Sequence, residues 1–240
     1  MKLSAIVSLA ILVQSASAHC KSRTLFSAPS RRNPDPPPTT TTDIWTTLIA
    51  GSTTSTAAVR QPVNNNPVTS VTSGDVTCNV NPGAATATVS VAAGSTIGFK
   101  LDNTLYHLGP AAIYLGKAPS TAASWNGSGA NWFKIAEWGA TFNPFSFSDV
   151  NQSQLTTTIP SSTPAGEYLV RIEQVALHVA GAPQWYISCA QIKITGGGSG
   201  NPSKVSIPGY VSANDPGLTV NIYYPIPTSY TVPGPRPWRG

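Results

Sequence analysis

The sequence predicts an all-β protein, an antiparallel β-sandwich with long loops. Three observations carry that expectation. Charged residues make up only 10% of 240, while Thr, Ser, Pro, Gly and Ala abound, a balance that suits an exported β protein better than a cytosolic helical one. Several short stretches alternate apolar and polar residues between turn signals. No stretch carries a long apolar stripe at helical spacing. Hydrophobic residues reach 40%, enough for a sizeable core in one domain.

The first element is a signal peptide over residues 1–18. Lys2 supplies its positive end, Leu3 to Val13 its apolar run, and Ala16-Ser17-Ala18 its small-x-small cleavage pattern. The run is too short to span a membrane, and no second candidate follows. Cleavage after Ala18 makes His19 the first residue of a single domain, 19–240. Residues 20–43, through Pro36-Pro37-Pro38 and four threonines, show no hydrophobic period and read as linker. Ile44 to Gly51 reads as a strand. Ala85, Ala87, Val89 and Val91 alternate with Thr86, Thr88 and Ser90 as a half-buried strand, Ala93-Gly94 turns the chain, and Thr96 to Leu101 returns. Glu167 to Gln174 sets Tyr168, Val170 and Ile172 against Leu169, Arg171 and Glu173. Gln184 to Ile194 places Tyr186, Ser188, Ala190, Ile192 and Ile194 on one face. The loops 118–129 and 139–160 have room for irregular elements or short helices. The Gly- and Pro-rich tail after Gly196 reads as a strap laid over the sandwich.

Export implies an oxidising compartment where cysteines pair. Cys78 and Cys189 fall in strand-like stretches and are paired here, which leaves Cys20 odd. The formal charge of +5 shrinks to +2 once residues 1–43 are set aside, so no nucleic-acid footprint remains. The chain is expected to act as a monomer, without nucleic acid or membrane. Asn126-Gly127-Ser128 and Asn151-Gln152-Ser153 are glycosylation sequons in loop-like stretches.

Only three histidines occur: His19, His107 and His178. A lone histidine is ordinarily structural or solvent-facing, but an N-terminal one offers two nitrogens, its ring and its α-amino group. That amine has a pKa of roughly 7.7–8.0, so a metal displaces its proton near neutrality. A second imidazole completes a T-shaped set of three nitrogens, and tetragonal nitrogen ligation favours Cu(II). His107, in Tyr106-His107-Leu108-Gly109-Pro110, sits on a turn after a strand, a fitting place for an exposed ligand.

From about Val59 onward the sequence resembles the fungal lytic polysaccharide monooxygenases of auxiliary activity family nine, formerly glycoside hydrolase family sixty-one. The matching stretches are Val91 to Phe99, Tyr106-His107-Leu108-Gly109-Pro110-Ala111-Ala112-Ile113-Tyr114-Leu115 and Trp132-Phe133-Lys134-Ile135-Ala136-Glu137. Pro164 to Glu173 and Gln184-Trp185-Tyr186-Ile187-Ser188-Cys189-Ala190-Gln191-Ile192 complete them. The resemblance implies an immunoglobulin/fibronectin-like sandwich with a flat substrate face. It implies a copper brace of His19 and His107 with Tyr186 as axial neighbour. His178 and Gln184 would be the outer-sphere pair hydrogen-bonding the oxygen co-substrate, Tyr230 a substrate-face tyrosine, and Cys78–Cys189 the family disulfide. The implied reaction is copper-dependent oxidative cleavage of cellulose or a related β-glucan. O2 or H2O2 is the co-substrate, and the electron donor is a small reductant or a cellobiose dehydrogenase-type protein.

Family members run from the first histidine directly into a strand, whereas residues 20–43 intervene here. That segment reads as a translated intron. Cys20-Lys21-Ser22 can be encoded with the donor GTAAGT, and Thr42-Asp43 with an AG acceptor. In-frame removal leaves a His-Tyr-Ile-Trp start and disposes of the odd cysteine. If the insert is genuine, His19 hangs on a tether without preorganisation. The alternative is then a non-catalytic carbohydrate- or copper-binding sandwich. A classical glycosidase needs two carboxylates roughly 5–10 Å apart. Only Glu137, Glu167 and Glu173 lie in patterned segments, and no pair announces itself.

Overall fold

Twelve strands form among residues 44–240, the part of the chain that the computed structural model describes. In order they are β1 Trp45–Ala50, β2 Thr53–Ser55, β3 Val59–Arg60, β4 Val89–Ala92, β5 Thr96–Leu101 and β6 Ala111–Lys117. Then come β7 Trp132–Trp138, β8 Ala140–Thr141, β9 Ser146–Phe147, β10 Gln154–Thr158, β11 Gly166–Ala176 and β12 Gln184–Thr195. One sheet runs β10-β5-β1-β2. The larger runs β3-β12-β11-β6-β7, with β4 added in parallel beside β12. Among the described residues, helix is confined to a 3-10 turn, Gly74–Val76, and one turn of α-helix, Pro216–Thr219.

Alternation decides the layers. Tyr168, Val170 and Ile172 of β11 and Ala190, Ile192 and Ile194 of β12 face the small sheet, where Trp45, Leu48, Ile97 and Phe99 complete the inter-sheet core. The opposite parity, Leu169, Trp185, Ile187 and Cys189, faces a second apolar layer. Loop and tail residues build that layer: Val76 and Trp125, then Ile207, Tyr210, Leu218 and Ile222. The tail therefore straps the outer face of the large sheet, as its composition suggested. This also explains why β6 and β7 escape a period-two reading: both faces are buried, so they read as apolar runs.

Several expectations need correction. The strand expected from Ala85 begins only at Val89, because a side chain replaces the ladder before it. The buried Gln191 amide donates to the carbonyls of Ala85 and Ala87, and its oxygen accepts from Ala85 N. The 139–160 loop hides strands rather than helices, and β10 forms an edge of the small sheet. Cys78 does pair with Cys189, yet it lies in a turn after the 3-10 helix and not in a strand. The signal peptide, His19, Cys20 and the 20–43 segment lie outside the described residues.

Four core-facing phenols give stability a pH limit. Burial lifts the Tyr168 hydroxyl, which donates to Pro164 O at 2.8 Å, to about 12. Burial, and then the negative charge of Glu173, raises Tyr114 and Tyr210, and burial raises Tyr230. An unfolded tyrosine titrates near 10. A raised native value means the folded state keeps the proton longer, so this stability is complete below about pH 10 and falls as pH climbs from there through about 12. Urea midpoints should hold at about pH 9 and drop at about pH 11. A urea midpoint unchanged between those two pH values would contradict this.

Candidate metal centre

The site grows out of one β register continued past its strands. Gln174 of β11 stands opposite Ala111 of β6. The pairing persists beyond β6, with Val175 N donating to Pro110 O and Leu177 N to Leu108 O, each at 2.8 Å. One more step in the same register sets His107 opposite His178. Their rings stack, with centroids 4.9 Å apart and planes inclined by 22°. Gly109 permits this close pairing, because a Cβ there would overlap the Val175 carbonyl.

On the other side of β11, β12 opens with Gln184 opposite Ala176 and continues with Tyr186 opposite Gln174. Strand alternation then puts Gln184 and Tyr186 on the face that carries Gln174. The Tyr186 ring stacks on His107 at 4.7 Å and 18°. Its hydroxyl lies 3.4 Å from His107 Nε2 and makes a long hydrogen bond, also 3.4 Å, to Gln184 Oε1. Tyr186 is buried, whereas His107, His178 and Gln184 are half-exposed at the end of the sandwich. Tyr106, 45% exposed, lies against the His107 ring at 4.0 Å, and Val179 beside His178 is equally open. The result is a shallow polar cluster with an apolar rim.

Four residues singled out in the sequence, His107, His178, Gln184 and Tyr186, thus converge. Tyr230 does not join their ring contacts: its hydroxyl donates to Gly217 O at 2.8 Å and its ring meets the edge of Phe147 at 5.2 Å. Asn126 and Asn151 are exposed. The carboxylates are committed elsewhere. Glu137 takes Lys134 Nζ at 2.8 Å, Glu167 accepts from Ala122 N at 2.7 Å, and Glu173 pairs with Arg171 at 2.8 Å. Sequence reasoning passed over Gln174, whose Nε2 donates to His107 O at 3.2 Å. Its signal was available: a polar residue at the inward parity of Tyr168, Val170 and Ile172.

The donor set fits a metal of the copper type only in part by itself. An imidazole nitrogen and a phenol oxygen lie 3.4 Å apart, a nitrogen and oxygen pairing that suits tetragonal copper and lacks any thiolate. Among the described residues, no group of three or more His, Cys, Asp or Glu stands together for a metal. A metal held at this point would need a further ligand from outside the described cluster.

The sequence profile of Auxiliary Activity family 9, formerly GH61, matches residues 38–230. The chain belongs to this family. It is 51% identical over 194 residues to AA9 family lytic polysaccharide monooxygenase H of Malbranchea cinnamomea, covering 76% of this chain and 84% of that protein. It is also 51% identical over 183 residues to monooxygenase E of Podospora anserina, covering 74% of this chain and 61% of that longer protein. A crystal structure of a cellulose-active polysaccharide monooxygenase from M. thermophila superposes with a TM-score of 0.73 at 31% identity, covering 82% of this chain and 99% of that one. The auxiliary activity family 9 chain is therefore an oxidoreductase of the lytic polysaccharide monooxygenase type, on the β-sandwich that this class uses.

Proposed function

We propose that this family 9 enzyme is secreted and cleaves cellulose or a related β-1,4-glucan oxidatively, using one copper ion, O2 or H2O2, and an external electron donor. The observation that carries this is the convergence of His107, His178, Gln184 and Tyr186 at the exposed end of the sandwich. The cellulose-active relative of the same fold supports the substrate. Copper, when bound, supplies one-electron redox and oxygen chemistry that no side chain offers.

The chain's own residues divide the remaining work. His107 presents Nε2 as a ligand, and His19, once residues 1–18 are removed, brings its ring and α-amino nitrogens. Tyr186 holds its hydroxyl 3.4 Å from Nε2 and closes the inner side of the site to water. His178 and Gln184 stand beside that point as hydrogen-bonding groups that orient an oxygen co-substrate. Residues 19–240 form one catalytic domain, residues 20–43 are the product of an unspliced intron, and Asn126 and Asn151 accept glycans. Tyr230, in the C-terminal strap with its ring against Phe147, is the substrate-face tyrosine that binds the glucan.

Mass spectrometry of the products from cellulose tests the reading. Oxidised oligosaccharides should form with copper and reductant and vanish in a chelator. Unoxidised products that persist in chelator without reductant would overturn it.

A further inference from the structure

Gln174 has no exposed surface, in a strand whose other inward positions are apolar core. Burying an amide costs free energy unless its groups find partners, so the residue calls for a physical reason. Its Nε2 donates to the main-chain carbonyl of His107 at 3.2 Å. That acceptor also fixes the sense of the amide, since the reverse orientation would face two oxygens. The Oε1 end has no protein partner among the described residues. Tyr186 stands directly across the strand pair from Gln174. One side chain thus grips the main chain of His107 and flanks Tyr186, and the reacting ends of those two residues lie 3.4 Å apart.

The backbone pairing that anchors the His107 loop reaches Leu108, whose carbonyl accepts from Leu177 N. One residue further on, the donor to the loop is the Gln174 amide. We propose that Gln174 is a positioning residue for the metal-binding imidazole: by clamping the His107 carbonyl it holds ring Nε2 against the Tyr186 hydroxyl before metal arrives. This rests on the ligand role proposed for His107. An apolar side chain of similar size would fill the space and still leave that carbonyl without its donor, so packing alone does not account for a glutamine here.

The test uses the full processed enzyme. Wild type, Gln174→Leu and Gln174→His are compared for Cu(II) affinity by calorimetry, for the Cu(II) EPR spectrum and for the thermal midpoint of the metal-free protein. Histidine is chosen because its Nε2 lies as many bonds from Cβ as the glutamine nitrogen does, so a donor of equal reach is kept. The leucine variant should bind Cu(II) roughly 10- to 100-fold more weakly, as the loss of an outer-shell hydrogen bond does, with a changed copper hyperfine pattern. The histidine variant should restore both. Should leucine prevent folding, Gln174→Met, a flexible apolar chain of similar length, takes its place in the comparison. Unchanged affinity and spectrum in the apolar variant, with binding abolished by His107→Ala, would overturn the role of Gln174 alone. Failure of the wild type to hold Cu(II) tightly would remove the proposed centre and this inference with it.

Discussion

Replacing His107 with alanine is expected to lower the release of oxidised oligosaccharides more than about 100-fold, beyond the 10- to 100-fold typical of outer-shell changes. The reason lies in what the residue contributes. Among the described residues it presents the only imidazole nitrogen set against the Tyr186 hydroxyl, at 3.4 Å. Without it, the ligand proposed at His19 would have to hold copper with two nitrogens and no opposing ring. The fold should survive, because the loop is anchored by main-chain bonds, Leu177 N to Leu108 O and Val175 N to Pro110 O, that the substitution leaves intact. The metal-free variant should therefore unfold cooperatively near the wild-type temperature while calorimetry shows the loss of tight Cu(II) binding. His178→Ala, which removes a stacked neighbour at 4.9 Å and no proposed ligand, should keep Cu(II) binding and lose turnover instead. Oxidised products from His107→Ala at the wild-type rate would remove this residue from the chemistry.

How much of this was legible in the chain follows from which forces write a local signal. The half-buried strand β5 and the last residues of β12 alternate visibly, and the parity read for Tyr168, Val170 and Ile172 is the parity that faces the inter-sheet core. The strands β6 and β7 were lost because burial on both faces erases alternation. The start of β4 was misplaced because Gln191, more than a hundred residues away, supplies the hydrogen bonds that a neighbouring strand would have made. His107, His178, Gln184 and Tyr186 were found as a set only through family resemblance. Their meeting depends on a register between β11 and the 107–110 loop, and no local pattern encodes such a register. Gln174 could have been found from parity alone, as a polar residue at an inward position, but its partner is a main-chain carbonyl 67 residues away and leaves no motif.

Glu173→Ala is expected to destabilise the fold by about 3–5 kcal/mol, the range for removing one member of a buried ion pair. Arg171 is fully buried, its Nη1 forms an ion pair with Glu173 Oε2 at 2.8 Å, and Glu173 accepts from the Tyr210 hydroxyl at 2.6 Å. Burial opposes the guanidinium charge, yet the Glu173 carboxylate and the two neighbouring phenols hold its pKa above the ordinary value. Alanine would leave that cation between the faces of Tyr114 and Tyr210, each 5.4 Å from it, with no counter-charge. Glu173→Gln keeps the oxygen for Tyr210 and should cost less. An apolar pair, Arg171→Met with Glu173→Leu, removes the unpaired charge but also strips donors from the carbonyls of Val76 and Thr77, which Arg171 now serves at 2.7 and 2.8 Å. It should therefore recover only part of the loss. Those carbonyls adjoin Cys78, and Arg171 pairs across the sheet with Cys189, so the ionic clamp and the disulfide secure the same turn side by side. Urea unfolding with the disulfide intact measures all three variants. A Glu173→Ala midpoint within about 1 kcal/mol of wild type would show that the turn is held by the disulfide and packing alone. Glu173 faces the outer layer and Gln174 the inner, so the surviving folded fraction of Glu173→Ala should still bind Cu(II) as the wild type does, separating the stability of β11 from the chemistry at its end.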